Sequence, residues 1–250
     1  MRVLYGVNPV RELLRSGGEG LSELWLAEGG ERHAAEIERL ARSAGAKVRS
    51  APRARLDRLA GTDRHQGVVA VVADYTYREL ADLLSVARER REAPLLVVLD
   101  GIEDPQNLGA IIRSAHALGA HGVVVPRDRA AGITAAAAKA SAGAVEHTAV
   151  ARVTNVAQTL EKLKEEGVWS VATAAEATAD LADVDLTGPT ALVMGGEGQG
   201  VRPLVRRTAD HLVRIPMSGK VGSLNASAAA AICLYEVSRQ RRARVRPRAS

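Results

Sequence analysis

Three polar, glycine-rich segments each follow an apolar run, and they contain the residues best suited to chemistry. The first runs from Asp100 to Arg113, the second from Met194 to Gly200, and the third from Ile215 to Ser227. Each segment places polar side chains and backbone amides at the end of a strand, which is where open α/β sheets bind their ligands. The sequence therefore predicts one ligand site that is built from three distant loops.

The residue types in these segments exclude several kinds of site. The run Gly195 to Gly200 contains no Gly-Lys-Ser/Thr and does not match the Gly-x-Gly-x-x-Gly of dinucleotide folds, which argues against a phosphate-binding loop and against a nucleotide-dependent oxidoreductase. No Cys, His and carboxylate cluster has metal-ligand spacing, so no metal is expected. The single cysteine, Cys233, is expected to be a small buried apolar residue.

The charge of the chain is concentrated at one end. The formal net charge is +5, but six of the last twelve residues are arginines, and without them 28 basic residues face 29 acidic ones. Any binding of nucleic acid must therefore depend on local patches. Five arginines of the N-terminal part and the tail from Arg239 to Arg248 are the candidates, the five being Arg49, Arg53, Arg55, Arg58 and Arg64.

Length and hydropathy indicate a globular protein with one large domain or two modest ones, because 250 residues with 46% hydrophobic content can bury a real core. The apolar runs are far shorter than the roughly 20 residues of a bilayer span, so a soluble cytoplasmic protein is expected, without a membrane partner. The absence of phenylalanine argues against aromatic stacking platforms for RNA.

Periodicity divides the chain into two units with a boundary near Asp74. Residues 1–74 form a small α/β unit, with a first helix whose N-cap is Asn8 and whose first residue is Pro9, and a second helix over Glu31 to Ala44. Residues 75–93 are a charged connector with helical spacing. In residues 94–242 strands alternate with helices, which predicts a parallel sheet covered by helices. A final helix over 225–242, capped by Ser223 or Asn225, precedes a basic tail at 243–250.

Taken in order, the three segments resemble the three motifs of the SpoU (TrmH-like) branch of the SPOUT methyltransferases, which methylate ribose 2′-hydroxyls of RNA with S-adenosylmethionine. Two further stretches, Leu4 to Leu14 and Arg64 to Ala70, resemble the opening and closing of the small substrate-binding domain in the 23S rRNA guanosine 2′-O-methyltransferase subfamily. The resemblance implies an α/β-knot fold with a deep C-terminal trefoil knot, whereas chain-threading rules alone predict an unknotted doubly wound sheet.

The resemblance also implies roles for individual residues. It assigns S-adenosylmethionine contacts to Gly195, Gly196, Ile215, Met217 and Leu224, and it places five residues at the methyl-transfer site: Asn107, Arg113, Glu197, Ser223 and Asn225. The matching arginine of the family has been proposed as a base. Because a guanidinium is effectively always protonated, we expect Arg113 instead to anchor a phosphate and to stabilise the developing alkoxide.

Several alternatives remain open from the sequence. Taken alone, Asn107 reads as an N-cap and Arg113 as a surface residue of a helix. The expected substrate is a guanosine of 23S rRNA and not DNA; a tRNA or antibiotic-resistance rRNA 2′-O-methyltransferase and a non-catalytic RNA-binding assembly factor are the rivals. We expect a homodimer that uses the alanine-rich run Ala226 to Ala231 and the helix of Arg113, although this run could equally be buried within one chain.

Overall fold

The computed structural model describes residues 1–29, 33–220 and 222–245, which form two sheets connected by one helix. The predicted start of the second helix at Glu31, Val221 of the third polar segment and residues 246–250 of the basic tail lie outside the described residues. Among the described residues, no helix has both the length and the apolar character that a membrane span requires.

The N-terminal unit is a mixed four-stranded sheet with helices on both faces. The elements are β1 (Arg2–Tyr5), α1 (Val7–Arg15), β2 (Leu21–Ala27), α2 (Ala34–Ser43), β3 (Lys47–Ala51), α3 (Arg53–Ala60) and β4 (Val68–Val72). The order of the strands in the sheet is β1-β4-β2-β3, and of the three pairings only that of β2 with β3 is parallel. Side chains of β2 alternate between the two faces: Leu24 and Leu26 are buried on the side of α1 and α2, whereas Trp25 is buried with Leu56 of α3.

The predicted cap of the first helix is wrong by two residues. Gly6 is the N-cap, with a φ of 96° that favours glycine, and α1 begins at Val7. The side chain of Asn8 instead accepts a hydrogen bond from Arg11 within the helix (3.1 Å). The boundary was predicted from the preference of proline for the first helical position. Pro9 is instead the third residue of α1, which the first turn of a helix also tolerates.

The second unit is a seven-stranded sheet in which every pair of neighbouring strands is parallel, as the alternating pattern predicts. The strands are β5 (Leu95–Asp100), β6 (Gly122–Pro126), β7 (Val150–Val153), β8 (Trp169–Thr173), β9 (Ala179–Asp180), β10 (Thr190–Gly195) and β11 (His211–Arg214). Their order in the sheet is β7-β6-β5-β10-β8-β11-β9. The helices of this unit are α5 (Pro105–Ala117), α6 (Ala135–Ala140), α7 (Val156–Glu165), α8 (Pro203–Thr208) and α9 (Ala226–Val245).

The segment that connects the two units contains α4 (Leu80–Arg90), which packs against the second sheet. Leu83 and Leu84 are buried in one apolar cluster with Leu96 and Val98 of β5. This helix therefore belongs to the layer that covers the second sheet, while the boundary near Asp74 stays a prediction.

The two units share one continuous core. A single buried cluster contains Leu4 of β1 together with Ala137 of α6 and Val145 of the turn that follows it. At the edge of this cluster, Arg2 forms an ion pair with Glu146 at 3.1 Å, and both side chains are largely buried. The small unit is therefore held against the large one by apolar burial as well as by the covalent connector.

The last helix, α9, lies across the second sheet and contacts α5. Ala226, Ala230 and Cys233 face inward and are buried, which confirms the interpretation of the single cysteine. Burial raises the pKa of the Cys233 thiol to about 12, so the thiol stays protonated at neutral pH. The trefoil knot that the family resemblance implies remains a prediction.

Candidate active site

Two of the predicted loops leave the sheet side by side. β5 and β10 are neighbouring parallel strands, with Gly195 in register with Asp100. The backbone amide of Gly196 donates to the carbonyl oxygen of Asp100 (3.0 Å). A Cβ atom on Gly196 would overlap the carbonyl oxygen of Gly101, and one on Gly195 would overlap the backbone of Gly200. Gly195 and Gly196 are thus required for the close approach of neighbouring backbone segments.

A buried ion pair ties these two loops together. Asp100, whose side chain is buried, accepts from the backbone amide of Arg202 (2.8 Å) and from its Nε (2.6 Å). A buried carboxylate is costly unless it is paired, so this interaction fixes the end of β5 to the start of α8. Neither residue was assigned a role from the sequence. The signal was available, because Asp100 is the one acidic residue at the end of a wholly apolar strand.

The three polar segments meet in a cluster of three side chains. Nδ2 of Asn107 donates to Oε1 of Glu197 (3.0 Å), and Nδ2 of Asn225 donates to the same oxygen (2.8 Å) and to Oδ1 of Asn107 (2.9 Å). Each member comes from a different predicted segment. The prediction of one site from three distant loops therefore has a geometric basis for these three residues.

Of the two asparagines in the cluster, only Asn225 is also a helix cap. The cap of α5 is Asp104, whose Oδ1 accepts from the amide of Gln106 (3.0 Å), so the alternative that Asn107 is only an N-cap is wrong. Asn225 does cap α9, because its Oδ1 accepts from the amide of Ser227 (2.9 Å). Its amide nitrogen stays free to reach Glu197, so one side chain serves both the helix and the cluster.

A cavity of about 580 Å³ opens on one side of the Gly195 to Gly200 loop, at the carboxyl ends of β8, β10 and β11. All five predicted cofactor residues line it, together with Glu197, Ser223 and Asn225. Its size falls in the range of about 300–1,000 Å³ that small-molecule sites occupy. The walls combine apolar side chains such as Met194 and Val213 with glycine backbone. These residues fit a cofactor that has an apolar purine face and several hydrogen-bonding groups.

A second cavity, of about 560 Å³, lies on the other side of the same loop. Gly196 and Glu197 belong to both walls, whereas Asn107, Arg129 and Arg202 line only the second cavity. The cluster of Asn107, Glu197 and Asn225 therefore stands between two spaces that are each large enough for a nucleoside.

Two predicted residues take no part in the cluster. Ser223 lines the first cavity and makes no hydrogen bond to another described residue. Arg113 is exposed on α5, lines neither cavity, and forms no hydrogen bond or ion pair within the part of the chain that the structure describes. No group of three or more His, Cys, Asp or Glu residues that could hold a metal ion occurs among the described residues.

The chain matches two family models. Residues 94–235 match the SpoU rRNA Methylase family, and residues 3–78 match the model described as RNA 2′-O ribose methyltransferase substrate binding. Both matches fall where the two sheets lie, so the larger sheet corresponds to the methylase model and the smaller one to the substrate-binding model.

Individual relatives match over nearly the full length. YacO of Bacillus subtilis, described as a TrmH-family tRNA/rRNA methyltransferase, is 49% identical and covers 94% of each chain. The 23S rRNA (guanosine-2′-O-)-methyltransferase RlmB of Ralstonia nicotianae is 44% identical and covers 96% of each chain. The structure of the SpoU methyltransferase AviRb of Streptomyces viridochromogenes with the cofactor AdoMet superposes with a TM-score of 0.80 at 30% identity, over 96% of this chain and 90% of that one. With its fold, its polar cluster and these matches taken together, the chain belongs to the SpoU rRNA methylase family.

Proposed function

We propose that this protein transfers the methyl group of S-adenosylmethionine to the ribose 2′-hydroxyl of a guanosine in 23S rRNA. The observation that carries the proposal is the position of the Asn107, Glu197 and Asn225 cluster between two nucleoside-sized cavities. The relatives named as 23S rRNA (guanosine-2′-O-)-methyltransferases support the choice of RNA and base.

S-Adenosylmethionine, when bound, supplies an electrophilic methyl group on a sulfonium. In this proposal the cofactor occupies the first cavity, and backbone of Gly195, Ile215 and Leu224 contacts it, with Gly196 and Met217 beside them. The exposed glycine backbone offers donors and acceptors that do not protrude into the cavity. Positioning is the main task of such a site, because a methyl transfer needs the acceptor oxygen in line with the methyl carbon.

Glu197 is placed to orient the acceptor hydroxyl. Its Oε1 is occupied by the amides of Asn107 and Asn225, while Oε2 has no hydrogen-bond partner among the described residues. In our proposal Oε2 accepts a hydrogen bond from the 2′-hydroxyl and so directs a lone pair of the 2′-oxygen toward the first cavity. The two amides fix the carboxylate plane, and Ser223 provides a further hydroxyl on the cofactor side.

We further propose that the working form is a homodimer and that Arg113 acts in the site of the partner subunit. Arg113 follows Asn107 by six residues, which rotates it by about 240° around the helix, so the two side chains leave α5 about 120° apart and on different faces. The outward face of α9 supports a contact between subunits, because Ile232 and Tyr235 are 41% and 54% exposed there.

The small unit is proposed to select the RNA. Its exposed arginines lie on α3 and beside it, and the guanidinium groups of Arg55 and Arg49 lie 4.3 Å and 5.2 Å from the centre of the Trp25 ring. Packing on an aromatic ring holds both guanidinium groups in place. Nη2 of Arg49 also donates to Glu23 (2.9 Å), whereas the nitrogens of Arg55 remain able to bind phosphates.

Ribose-methylation mapping tests the substrate. Total RNA from a strain that lacks the protein should lose one 2′-O-methylguanosine in 23S rRNA, and the purified protein with S-adenosylmethionine should restore it on that RNA. Loss of a methylated ribose in tRNA, with 23S rRNA unchanged, would favour the tRNA enzyme instead. An unchanged map together with no binding of S-adenosylmethionine by calorimetry would favour the assembly factor.

Sedimentation tests the assembly. A dimer of about 53 kDa is expected at tens of micromolar, which is twice the 26.4 kDa of one chain. A species that stays at the mass of one chain at this concentration would contradict the homodimer and the shared site.

A further inference from the structure

Six charged side chains line the second cavity, and four of them are already engaged. Asp100 and Arg202 form the buried ion pair that joins two loops. Glu197 accepts from two asparagine amides, and Asp104 caps α5. The remaining two are Glu103 and Arg129.

Arg129 is the free cation of this cavity. It is exposed and forms no hydrogen bond or ion pair with any residue in the ranges that the structure describes. Arg202, the other lining cation, is committed to Asp100 through its Nε and Nη2 atoms. An anionic ligand in this cavity would therefore find Arg129 as its one uncommitted guanidinium among the described residues.

The loop that carries Arg129 is fixed in an unusual conformation. The φ of Arg129 is 53°, a left-handed value that residues other than glycine rarely adopt. Two residues later, the amide of Ala131 donates to the carbonyl oxygen of Ile102 (2.8 Å), another residue that lines the cavity. Backbone strain of this kind persists where the surrounding structure holds it, often at ligand sites.

We propose that Arg129 binds the phosphate of the nucleotide that is methylated, and so positions its ribose in the second cavity against Glu197. The inference rests on the proposed function and adds a positioning group that lies in the same chain as Glu197. A guanidinium binds phosphate oxygens through two parallel hydrogen bonds, which fixes orientation as well as position.

The test compares two arginines of one loop. Asparagine tolerates a left-handed φ, so Arg129→Asn preserves the backbone. Arg127→Asn is the matched control, because Arg127 is exposed in the same loop and does not line the cavity. The substrate is a 23S rRNA fragment that contains the mapped guanosine, and the full-length chain is used throughout. Single-turnover rates, RNA affinity at several salt concentrations and calorimetric S-adenosylmethionine affinity are measured.

We expect Arg129→Asn to lower the single-turnover rate at subsaturating RNA by a factor of about 30, since a charge-assisted, bidentate contact is lost. The slope of log affinity against log salt should fall by about 0.7–0.9, the value of one phosphate contact. Arg129→Lys should recover part of the loss, because an ammonium still attracts the phosphate as a point charge. Arg127→Asn and the affinity for S-adenosylmethionine should stay within a factor of about two of the unaltered protein.

Two results would overturn the assignment. If Arg129→Asn and Arg127→Asn give equal rates, Arg129 does not contact the acceptor. If Arg129→Asn weakens S-adenosylmethionine as much as it lowers the rate, the guanidinium serves the cofactor. Failure of the proposed function is a separate outcome, because the unaltered protein would then fail to methylate the RNA at all.

Discussion

The polar side chains at the two ends of the seven-stranded sheet are paired to different extents. At the amino ends of the strands they hydrogen-bond to one another and to nearby backbone groups. Arg241 donates to the carbonyl oxygens of Ala93 (2.8 Å), Pro94 (3.0 Å) and Gly188 (2.7 Å). At the carboxyl ends, Glu197 has one oxygen engaged and one without a partner among the described residues.

Two more interactions complete the amino end. Ser170 donates from its amide and its hydroxyl to Asp210 (2.9 and 2.7 Å), and Nδ1 of His121 accepts from the amide of Leu95 (3.0 Å). Burial raises the pKa of Asp210, but hydrogen bonds from Lys164 and Ser170 outweigh it and leave that pKa below its ordinary value. Polar side chains whose hydrogen bonds are all made within the chain therefore stabilise it, and a side chain with an unpaired oxygen is available to a ligand. Substitutions at the two ends should therefore separate stability from activity.

The largest effect is expected for Glu197→Ala at the carboxyl end. This change removes the acceptor for the 2′-hydroxyl and releases both asparagine amides, so the single-turnover rate should fall by about 10³-fold. The free energy of unfolding in urea should change by less than about 1 kcal/mol, because the site is open to solvent. Glu166→Ala is the control, since Glu166 forms an exposed ion pair with Arg88. Equal single-turnover rates for Glu197→Ala and Glu166→Ala would contradict a role of Glu197 in methyl transfer.

Arg113→Ala should lower methyl transfer by at least about 10²-fold, because it removes phosphate anchoring and charge stabilisation together. Binding of S-adenosylmethionine by calorimetry should change little. Arg88→Ala, which removes another exposed arginine, is the control. If the rate of methyl transfer to the native RNA falls by less than tenfold, Arg113 is a surface residue without a role in catalysis.

At the amino end, Arg241→Ala should destabilise the chain by about 2 kcal/mol, since it leaves several carbonyl groups without a donor. The rate per folded molecule should stay within a factor of about two. Arg242→Ala is the neighbouring control, because Arg242 is exposed and donates only to the carbonyl of Ser238 within its own helix. Urea unfolding measures the first quantity and single-turnover kinetics the second. A rate loss without destabilisation would mean that the amino end also serves catalysis.

The smallest effect is a pH dependence of stability from His121. Burial lowers the pKa of His121 below its ordinary value, although the hydrogen bond to Glu92 opposes this shift. Because the unfolded chain binds the proton more readily, the stabilisation is complete above the unfolded pKa of about 6.5 and is lost as pH falls through the folded pKa. Urea unfolding from pH 7.5 to 5 should lose stability more steeply in the unaltered protein than in His121→Gln. Parallel curves would assign the pH dependence to other groups.

Much of the second unit could be predicted because its strands are apolar on both faces. β5 and β6 are buried throughout and β10 is buried as far as Met194, and the first two polar segments follow β5 and β10. A strand was expected to precede Ile215, but the periodicity does not give the bounds of β11, because three of its four residues, His211, Leu212 and Arg214, are exposed. α3 was missed for a similar reason, since Leu56 is its one buried residue.

The candidate site could be predicted only in part. Parallel strands bring their carboxyl ends to one edge, so the three segments could be grouped from the sequence, whereas the choice of Asn107, Glu197 and Asn225 within them rested on the family resemblance. The division into two cavities depends on the approach of Gly196 to Gly101, a contact between residues 95 positions apart that no local pattern encodes. For the same reason the pairing of Asp100 with Arg202 and the place of Arg129 required the folded chain.

The apolar cluster that contains both Leu4 and Ala137 bears on how a target could be measured. Two units that bury surface against each other cannot swivel without exposing it, so they should melt in one calorimetric transition. The span from the arginines beside α3 to Glu197 is then a fixed length. If the small unit grips the rRNA as proposed, the protein acts as a ruler: it methylates the guanosine that falls at the set distance from the gripped helix, and the same guanosine moved by a few base pairs would go unmodified.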